Sequence, residues 1–193
     1  MKEIILATNN AHKVKELSKI LAGKFDRIYS LADKGIDVEI EENGSTFIEN
    51  AIIKARAIAD IAGIPALADD SGLCVDALGG EPGVYSARYS GKHGDSKANN
   101  ELLLSKLSGI KGSNRSARFK CAIALVYPDG NIVTAEGAAE GVISDEYYGQ
   151  GGFGYDPIFY SLDLNKTFAQ ASEEEKNSVS HRGRALAELM DKL

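Results

Sequence analysis

Two consecutive carboxylates, Asp69 and Asp70, follow a short apolar run at 64–68. The run predicts a buried strand, and the Ser-Gly pair at 71–72 predicts a turn into a second apolar run at 73–78. Two carboxylates at the mouth of a buried strand lose solvation and repel each other unless a cation or a basic side chain lies between them. They could therefore hold a divalent metal and orient water, although an ordinary acidic turn contains the same residue types.

A polar turn near the N-terminus could hold an anion. The turn, at 9–13, joins a predicted strand at 2–8 to a helix whose apolar side chains recur from Val14 onward at helical spacing. Backbone N–H groups at a helix N-terminus attract anions, and Lys13, expected to be exposed in this turn, adds a full charge. An ordinary junction capped by Asn fits the same residues.

A helix with a clear start and stop is predicted at 46–62. Thr46 and Glu49 form a capping box, and Gly63 ends the apolar face. Asn50 and Lys54 lie one turn apart, so both can face one ligand.

Two later segments could contact a nucleotide base. Residues 149–154 match G-x-G-x-x-G, but they precede a predicted strand at 158–160 and not a helix, so we reject a dinucleotide fingerprint. The loop could instead offer Phe153 and Tyr155 to a flat ring, or be a plain surface loop. A short capped helix at 172–176 and a last helix beginning near 181 bring further basic side chains.

The remaining pattern predicts an α/β fold. Asp95 is expected to cap a helix, and apolar runs at 117–127 and 132–140 predict an antiparallel hairpin. Strand–helix units followed by a hairpin favour a mixed sheet, with two lobes and a cleft as one arrangement.

Composition narrows the function. The 193 residues carry a net charge of −6, which argues against binding duplex nucleic acid. Neither a leader peptide nor a membrane span is predicted, and Cys74 and Cys121 are expected to be reduced core residues, so we expect a cytoplasmic protein. The three histidines are scattered, which disfavours zinc, and carboxylates acting on phosphates favour Mg²⁺. No Walker P-loop is present.

Six motifs, in unbroken order along nearly the whole chain, resemble the inosine triphosphate pyrophosphatase family, also called dITP/XTP pyrophosphatases. They are Thr8-Asn9-Asn10-Ala11-His12-Lys13, Glu42 ahead of Gly44-x-Thr46-Phe47-x-Glu49-Asn50-Ala51, Ala68-Asp69-Asp70-Ser71-Gly72-Leu73, Leu78-Gly79-Gly80-x-Pro82-Gly83-x-Tyr85-Ser86-Ala87-Arg88, Gly152-Phe153-Gly154-Tyr155-Asp156-Pro157 and Ser180-His181-Arg182-Gly183.

The resemblance implies a single domain over 1–193, with an elongated mixed β-sheet, flanking helices and two lobes around a central cleft. It implies a homodimer that uses Mg²⁺ to hydrolyse ITP, dITP and XTP to the monophosphate and pyrophosphate. Nucleic acid and membranes are not expected partners.

The resemblance also assigns roles by position. It implies Asp70 as the catalytic carboxylate and, with Glu42, as a metal ligand; Glu42 is chosen over Glu41 only for its spacing to Gly44. Lys54 and Arg88 are expected to add charge near the phosphates. The substrate-binding residues it implies are Thr8, Asn9, Asn10, Ala11, His12, Lys13, Ser71, Phe153, Gly154, Tyr155, Asp156, Lys176, His181 and Arg182.

Two other functions remain open from the residues. A nucleotide-binding or RNA-binding module without chemistry would release no pyrophosphate. A phosphatase with an aspartyl nucleophile would form a covalent intermediate and release orthophosphate.

Overall fold

The fold is a mixed α/β arrangement, described here from a computed structural model that covers residues 2–193 apart from the side chain of His12. The strands are β1 Glu3–Leu6, β2 Arg27–Tyr29, β3 Ala66–Val75, β4 Ser116–Val126, β5 Ile132–Ile143, β6 Phe159–Ser161 and β7 Lys166–Thr167. The α-helices are α1 Ala11–Leu21, α2 Phe47–Ala62, α3 Ser96–Lys106, α4 Glu173–Val179 and α5 His181–Asp191. Short 3₁₀ turns occupy Ala32–Lys34, Asp76–Leu78, Gly83–Arg88, Gly112–Arg115 and Phe168–Gln170.

All the strands above belong to one mixed sheet in the order β2-β1-β3-β4-β5-β6-β7. Strand β1 runs parallel to both β2 and β3, whereas β6 runs antiparallel to both β5 and β7. The parallel pairs are connected through α1 and α2, as parallel strands require a crossover. The expected α/β class with a mixed sheet and flanking helices is confirmed.

The chain divides into two compact units. The first contains the described residues up to Asp70, with Ala122–Glu136 and Leu186–Leu193; the second contains Ser71–Cys121 and Gly137–Ala185. Small side chains of α2 pack on the strands in the first unit's core, for example Ala51 and Ala55 with Ala66 and Ala68. The second unit has a core rich in aromatic rings, in which Phe119, Phe159 and Phe168 are buried.

Local sequence signals place α2 accurately. The Thr46 hydroxyl accepts the Glu49 N–H and the Glu49 carboxylate accepts the Thr46 N–H, which completes the predicted capping box. Gly63 ends the helix in the left-handed conformation, with φ of 67°, a region that favours glycine. The Asp95 cap of α3 and the capped helix α4 are also confirmed.

The turn predicted at Ser71 and Gly72 is wrong. Strand β3 continues without interruption through Asp69, Asp70, Ser71 and Gly72 to Val75. Asp and Gly are poor strand formers, but strand preference depends on cross-strand neighbours and burial more than on the residue itself. The two carboxylates therefore lie in the middle of a strand and not at its end.

The other predictions differ from the structure mainly at element ends. Residues 149–154 form an irregular loop ahead of β6, consistent with rejecting the dinucleotide fingerprint. Cys74 is half-buried, Cys121 is buried, and neither forms a disulfide. In the described part of the chain, no helix is long and apolar enough to cross a membrane.

Candidate functional site

Consecutive carboxylates of β3 face opposite sides of the sheet, because successive side chains of a strand alternate. Ala66 and Ala68 pack against α2, and Asp70, which shares their face, contacts that helix. Asp69 faces the other side and contacts Lys13 of α1. Asp69 thus forms an ion pair with a lysine of α1, and Asp70 lies near a lysine of α2.

Asp69 forms a largely buried ion pair with Lys13. The Lys13 ammonium nitrogen is 2.8 Å from a carboxylate oxygen of Asp69, whose side chain is fully buried, and the Lys13 side chain is only 16% exposed. The expectation that Lys13 is exposed is therefore wrong. A lysine in the first turn of α1 can reach β3 because that turn follows β1, the strand next to β3.

Asp70 contacts two residues of α2 one turn apart, as their spacing predicts. The Asn50 side-chain amide donates to Asp70 at 3.0 Å, and the Lys54 ammonium lies 3.9 Å from the other carboxylate oxygen. Burial raises the pKa of the Asp70 carboxyl above its ordinary value, and the charge of Lys54 and the Asn50 hydrogen bond oppose that rise. A carboxylate with a raised pKa suits a general base.

Glu42 joins this group through the same lysine. Its carboxylate accepts a hydrogen bond from Lys54 at 3.1 Å, so one ammonium lies within ion-pair distance of both Glu42 and Asp70. We call Glu42, Lys54, Asp69, Asp70, Lys13 and Asn50 the carboxylate–lysine cluster; all belong to the first unit.

The donors of Glu42 and Asp70 fit a Mg²⁺ ion that also binds substrate. Both supply carboxylate oxygens, the ligand type that Mg²⁺ prefers. Among the described side chains, which do not include that of His12, no group of three or more His, Cys, Asp or Glu is arranged to hold a metal by itself. With two carboxylates as ligands, water and phosphate oxygens would complete the coordination of a Mg²⁺ ion.

The turn before α1 is closed by its own side chains. The Asn10 N–H donates to the Thr8 hydroxyl at 3.2 Å, and the Asn10 side chain accepts the Lys13 N–H at 3.3 Å. Asn9, Asn10 and Ala11 are exposed, so a ligand can reach this turn. The predicted contribution of the His12 side chain lies outside the described residues.

A second group of predicted residues comes together in the second unit. Asp156 is buried and accepts a 2.6 Å hydrogen bond from the Lys176 ammonium and a 2.8 Å hydrogen bond from the Phe153 N–H. Lys176 also lies over the Phe153 ring, 4.6 Å from its centroid, while that ring stays 49% exposed. The loop thus presents an accessible aromatic ring beside a positive charge, a combination that can bind a planar base.

The start of α5 supplies the other two basic side chains. The His181 ring stacks on Phe119 with centroids 4.9 Å apart, and the buried Arg182 guanidinium donates to the Ser71 hydroxyl at 3.3 Å. Phe119 also stacks on Phe168, whose ring lies 5.5 Å from the Lys176 ammonium. We call Phe153, Asp156, Lys176, His181, Arg182, Ser71, Phe119 and Phe168 the aromatic–basic cluster.

The glycine-rich loop is held at several points. Asn100 donates to the Gly154 carbonyl at 3.0 Å, and the buried Tyr155 hydroxyl donates to the Ser86 carbonyl at 2.8 Å. A Cβ at Gly152, which has φ of 73°, would collide with the Asp156 carboxylate. The loop can therefore curl around Asp156 only with glycine at this position.

Arg88 was predicted to add charge near the phosphates. It is exposed, and its guanidinium lies 5.4 Å from the centroid of the exposed Tyr85 ring.

A family model matches residues 4–192, and its description is the Ham1 family. The chain belongs to the Ham1 family. A dITP/XTP pyrophosphatase of Desulforamulus reducens is 52% identical over 98% of this chain and 94% of its own length. One of Bacillus subtilis is 51% identical over 98% of this chain and 96% of its own length. A HAM1 protein structure from Coxiella burnetii aligns with a TM-score of 0.90 at 43% identity, covering 98% of this chain and 96% of that one.

Membership of the Ham1 family confirms the resemblance drawn from the six sequence motifs. Sequence reasoning missed three residues that support the motif residues of this Ham1 chain: Asn100, Phe119 and Phe168. Each acts on a partner far away in the sequence, for example Phe119 on His181, so no local spacing could have revealed it. Asn100 is the second of two consecutive asparagines in α3. Because asparagine is unfavourable inside a helix, this pair is the sequence signal that could have indicated a role for Asn100.

Proposed function

We propose that this protein hydrolyses ITP, dITP and XTP to the corresponding monophosphate and pyrophosphate, with Mg²⁺ as cofactor, and so keeps deaminated purines out of DNA and RNA. The observation that carries the proposal is the full-length similarity to relatives named dITP/XTP pyrophosphatase, at 52% and 51% identity. The carboxylate–lysine cluster supplies the chemistry such a reaction needs, a base and positive charge in one place.

In this mechanism Asp70 is the general base. Its carboxylate accepts a proton from a water molecule while the water oxygen attacks the α-phosphorus in line. The bond from the α-phosphorus to the bridging oxygen breaks, and pyrophosphate leaves with that oxygen. Asn50 orients the Asp70 carboxylate through the bond already described.

Charge neutralisation falls to the basic side chains and the metal. Glu42 and Asp70 would hold Mg²⁺, which when bound neutralises charge on the phosphate oxygens. Lys54, within ion-pair distance of both carboxylates, places a further positive charge at the same point. The Thr8–Lys13 segment, whose central residues are exposed, would cradle the phosphate chain at the N-terminus of α1.

The aromatic–basic cluster would hold the base. The exposed Phe153 ring offers a stacking face, and Asp156 fixes both the loop N–H of Phe153 and the Lys176 ammonium. His181 and Arg182 would read polar groups on the ring edge. Gly154 and Tyr155 belong to the same loop, whose shape Asn100 maintains.

Product identity tests the proposal. Purified protein is incubated with ITP and Mg²⁺, and pyrophosphate and orthophosphate are measured separately, with chelator as a control. We expect one pyrophosphate per monophosphate, and no product with chelator. Orthophosphate as the first product would favour an aspartyl-nucleophile phosphatase, and no product at all would favour a binding module.

We also propose that the enzyme works as a cytoplasmic homodimer that does not bind nucleic acid. The net charge of −6 supports the last point, because nucleic acid binding requires a concentrated positive surface. Light scattering on the protein as it elutes from a size-exclusion column measures its molar mass, and cell fractionation shows its cellular location. A monomeric mass would contradict the dimer without affecting the proposed reaction.

A further inference from the structure

The buried side-chain amide of Asn50 joins two parts of the carboxylate–lysine cluster. Its nitrogen donates to Asp70 at 3.0 Å, and its oxygen accepts the backbone N–H of Gly44 at 2.8 Å. Gly44 lies two residues after Glu42, in the segment that precedes α2. One amide, 2% exposed, therefore ties the Glu42 segment to the Asp70 carboxylate.

Gly44 makes this arrangement possible for a steric reason. A Cβ at Gly44 would lie 2.7 Å from the Asn50 side-chain oxygen and 2.7 Å from the Cβ of Glu49. Its φ is outside the left-handed region, so the backbone itself would accept other residues. The glycine is needed because the Asn50 amide and the Glu49 Cβ occupy the space.

Helix stability does not explain Asn50. The N-terminus of α2 is already capped by Thr46 and Glu49, so the amide is not needed there. Asparagine is a poor residue inside a helix, and a buried polar group is costly unless both its donor and acceptor are used. An apolar side chain would suit the α2 interface better, whereas an amide can donate to a carboxylate and accept an N–H at once.

We propose that Asn50 is a positioning residue for hydrolysis, which holds the Asp70 carboxylate and the Glu42 segment in one fixed geometry. The inference rests on the proposed function for its kinetic consequence. If the Asp70 carboxylate, the general base, is free to rotate, it spends less time directed at the attacking water. Loss of its orientation therefore lowers turnover more than substrate affinity.

Three variants separate the two bonds of Asn50. Asn50→Leu removes both, and Asn50→Asp keeps the acceptor for Gly44 but loses the donor to Asp70. Gly44→Ala leaves the amide chemically unchanged but places a Cβ against it and against the Glu49 Cβ. Ile58→Val, in the buried core of the same helix, is the control for lost stability.

Two readouts are made on each folded variant: kcat and KM for ITP with Mg²⁺, and the hydrogen-exchange rate of the Gly44 amide by NMR. We expect kcat to fall about tenfold to hundredfold in all three variants while KM stays close to wild type. Gly44 exchange should accelerate in Asn50→Leu and Gly44→Ala but stay protected in Asn50→Asp. The Ile58→Val protein should show a lower Tm with wild-type kcat and protection.

The outcomes distinguish this inference from the proposed function. If the wild type releases no pyrophosphate, the proposed function fails, and Gly44 exchange still decides whether Asn50 holds that segment. If the wild type is active and folded Asn50→Leu keeps its kcat, the positioning role is overturned while the function stands. Unchanged Gly44 exchange in Asn50→Leu would overturn the link to the Glu42 segment.

Discussion

The Lys13 ammonium lies 2.8 Å from the Asp69 carboxylate, and the side chain of Asp69 has no exposed surface. A charge taken out of water this completely must be compensated by its partner. Lys13 therefore helps to compensate the buried charge of Asp69 and also belongs to the segment that we propose to bind phosphate. The side chain of Lys13 is partly accessible at 16%, so contact with a bound phosphate is compatible with the ion pair.

Lys13→Met should destabilise the protein, because it removes the positive charge that lies 2.8 Å from the buried carboxylate of Asp69. Removing one partner of a buried pair costs about 3–5 kcal/mol in the free energy of unfolding. Urea unfolding near neutral pH measures the change. Lys15→Met, on an exposed position of the same helix, is the matched control and should change stability little.

The double variant Lys13→Met with Asp69→Asn should recover part of the lost stability, because the amide carries no charge. A loss below about 1 kcal/mol in Lys13→Met, the range of exposed pairs, would show that Lys13 is not the main compensation for the charge of Asp69.

Asp70→Asn should remove most turnover while keeping the fold. The amide has the shape of the carboxylate but can neither accept a proton nor hold a metal with full charge. General-base catalysis contributes roughly 10²–10⁴-fold to the rate, so kcat for ITP should fall by a factor of at least about 10². Pyrophosphate release is the measurement, and Asp60→Asn, exposed on α2, is the control for loss of a carboxylate. Wild-type kcat in folded Asp70→Asn would move the base to another residue.

Helix α2 and strand β3 show what the sequence can and cannot predict. The bounds of α2 follow from signals within a few residues of its ends, Thr46 with Glu49 and then Gly63. The continuation of β3 depends on lysines that are distant in the sequence. Lys13 lies 56 positions before Asp69, and Lys54 lies 16 positions before Asp70. Without those partners Asp-Asp-Ser-Gly has the composition of a turn.

The candidate site divides in the same way. Asn50 and Lys54 were recognisable as a pair because helical spacing alone places them on one face. The stacking of His181 on Phe119 was not predictable, since Phe119 reads only as one apolar residue of β4. Residues that contact a ligand carry chemical signals in the sequence, whereas residues that orient them through packing do not.

Stability should depend on pH through Asp76. Hydrogen bonds from Arg118, at 2.7 and 2.9 Å, hold the pKa of Asp76 at about 2, below its ordinary 3.8. Because the folded pKa is depressed, the stabilisation is present above pH 3.8 and is lost as the pH falls through about 2. The side chains of Asp76 and Arg118 are 45% and 28% exposed, so solvent screening limits the effect to about 1 kcal/mol.

Asp76→Asn should therefore lower the free energy of unfolding near neutral pH, and its difference from wild type should shrink as the pH approaches 2. Urea unfolding across this pH range measures it, with the exposed Asp37→Asn as control for loss of a charge. A difference that grows in acid would reverse the assigned sign.

Phe153→Ala should weaken ITP binding without affecting the fold. The ring is 49% exposed, so its removal costs little core packing, whereas the loss of stacking on a base costs about 1–3 kcal/mol. We expect KM for ITP to rise and the Tm to stay near wild type. Tyr148→Ala removes a ring that is 46% exposed and serves as control. Equal KM values for the two variants would remove Phe153 from the base site.

Arg182 should contribute to selection among purines. Hypoxanthine and xanthine carry an oxygen at position six, where adenine carries an amino group. A hydrogen-bond donor of the protein that faces this position therefore binds hypoxanthine and xanthine but repels the amino group of adenine. Buried unmatched polar groups can discriminate by up to roughly 10⁴–10⁵-fold, more than any apolar contact of similar size. Guanine also carries this oxygen, so the site must discriminate against guanine through the amino group at position two of its ring. We therefore expect kcat/KM for ITP and XTP to lie far above that for ATP, with GTP also poor.

Arg182→Gln tests the source of this selectivity, because glutamine keeps one donor but loses the charge and the fixed geometry of a guanidinium. We expect kcat/KM for ITP to fall more than that for ATP, which narrows the ratio. Arg184→Gln, on the same helix but bonded to Asp163 and to the Ala138 carbonyl, is the control and should keep the wild-type ratio. Equal values for ITP and ATP in the wild type would contradict selection of deaminated purines altogether. A wild-type ratio in Arg182→Gln would instead leave the recognition of the six-oxygen to His181 or to the backbone at the start of α5.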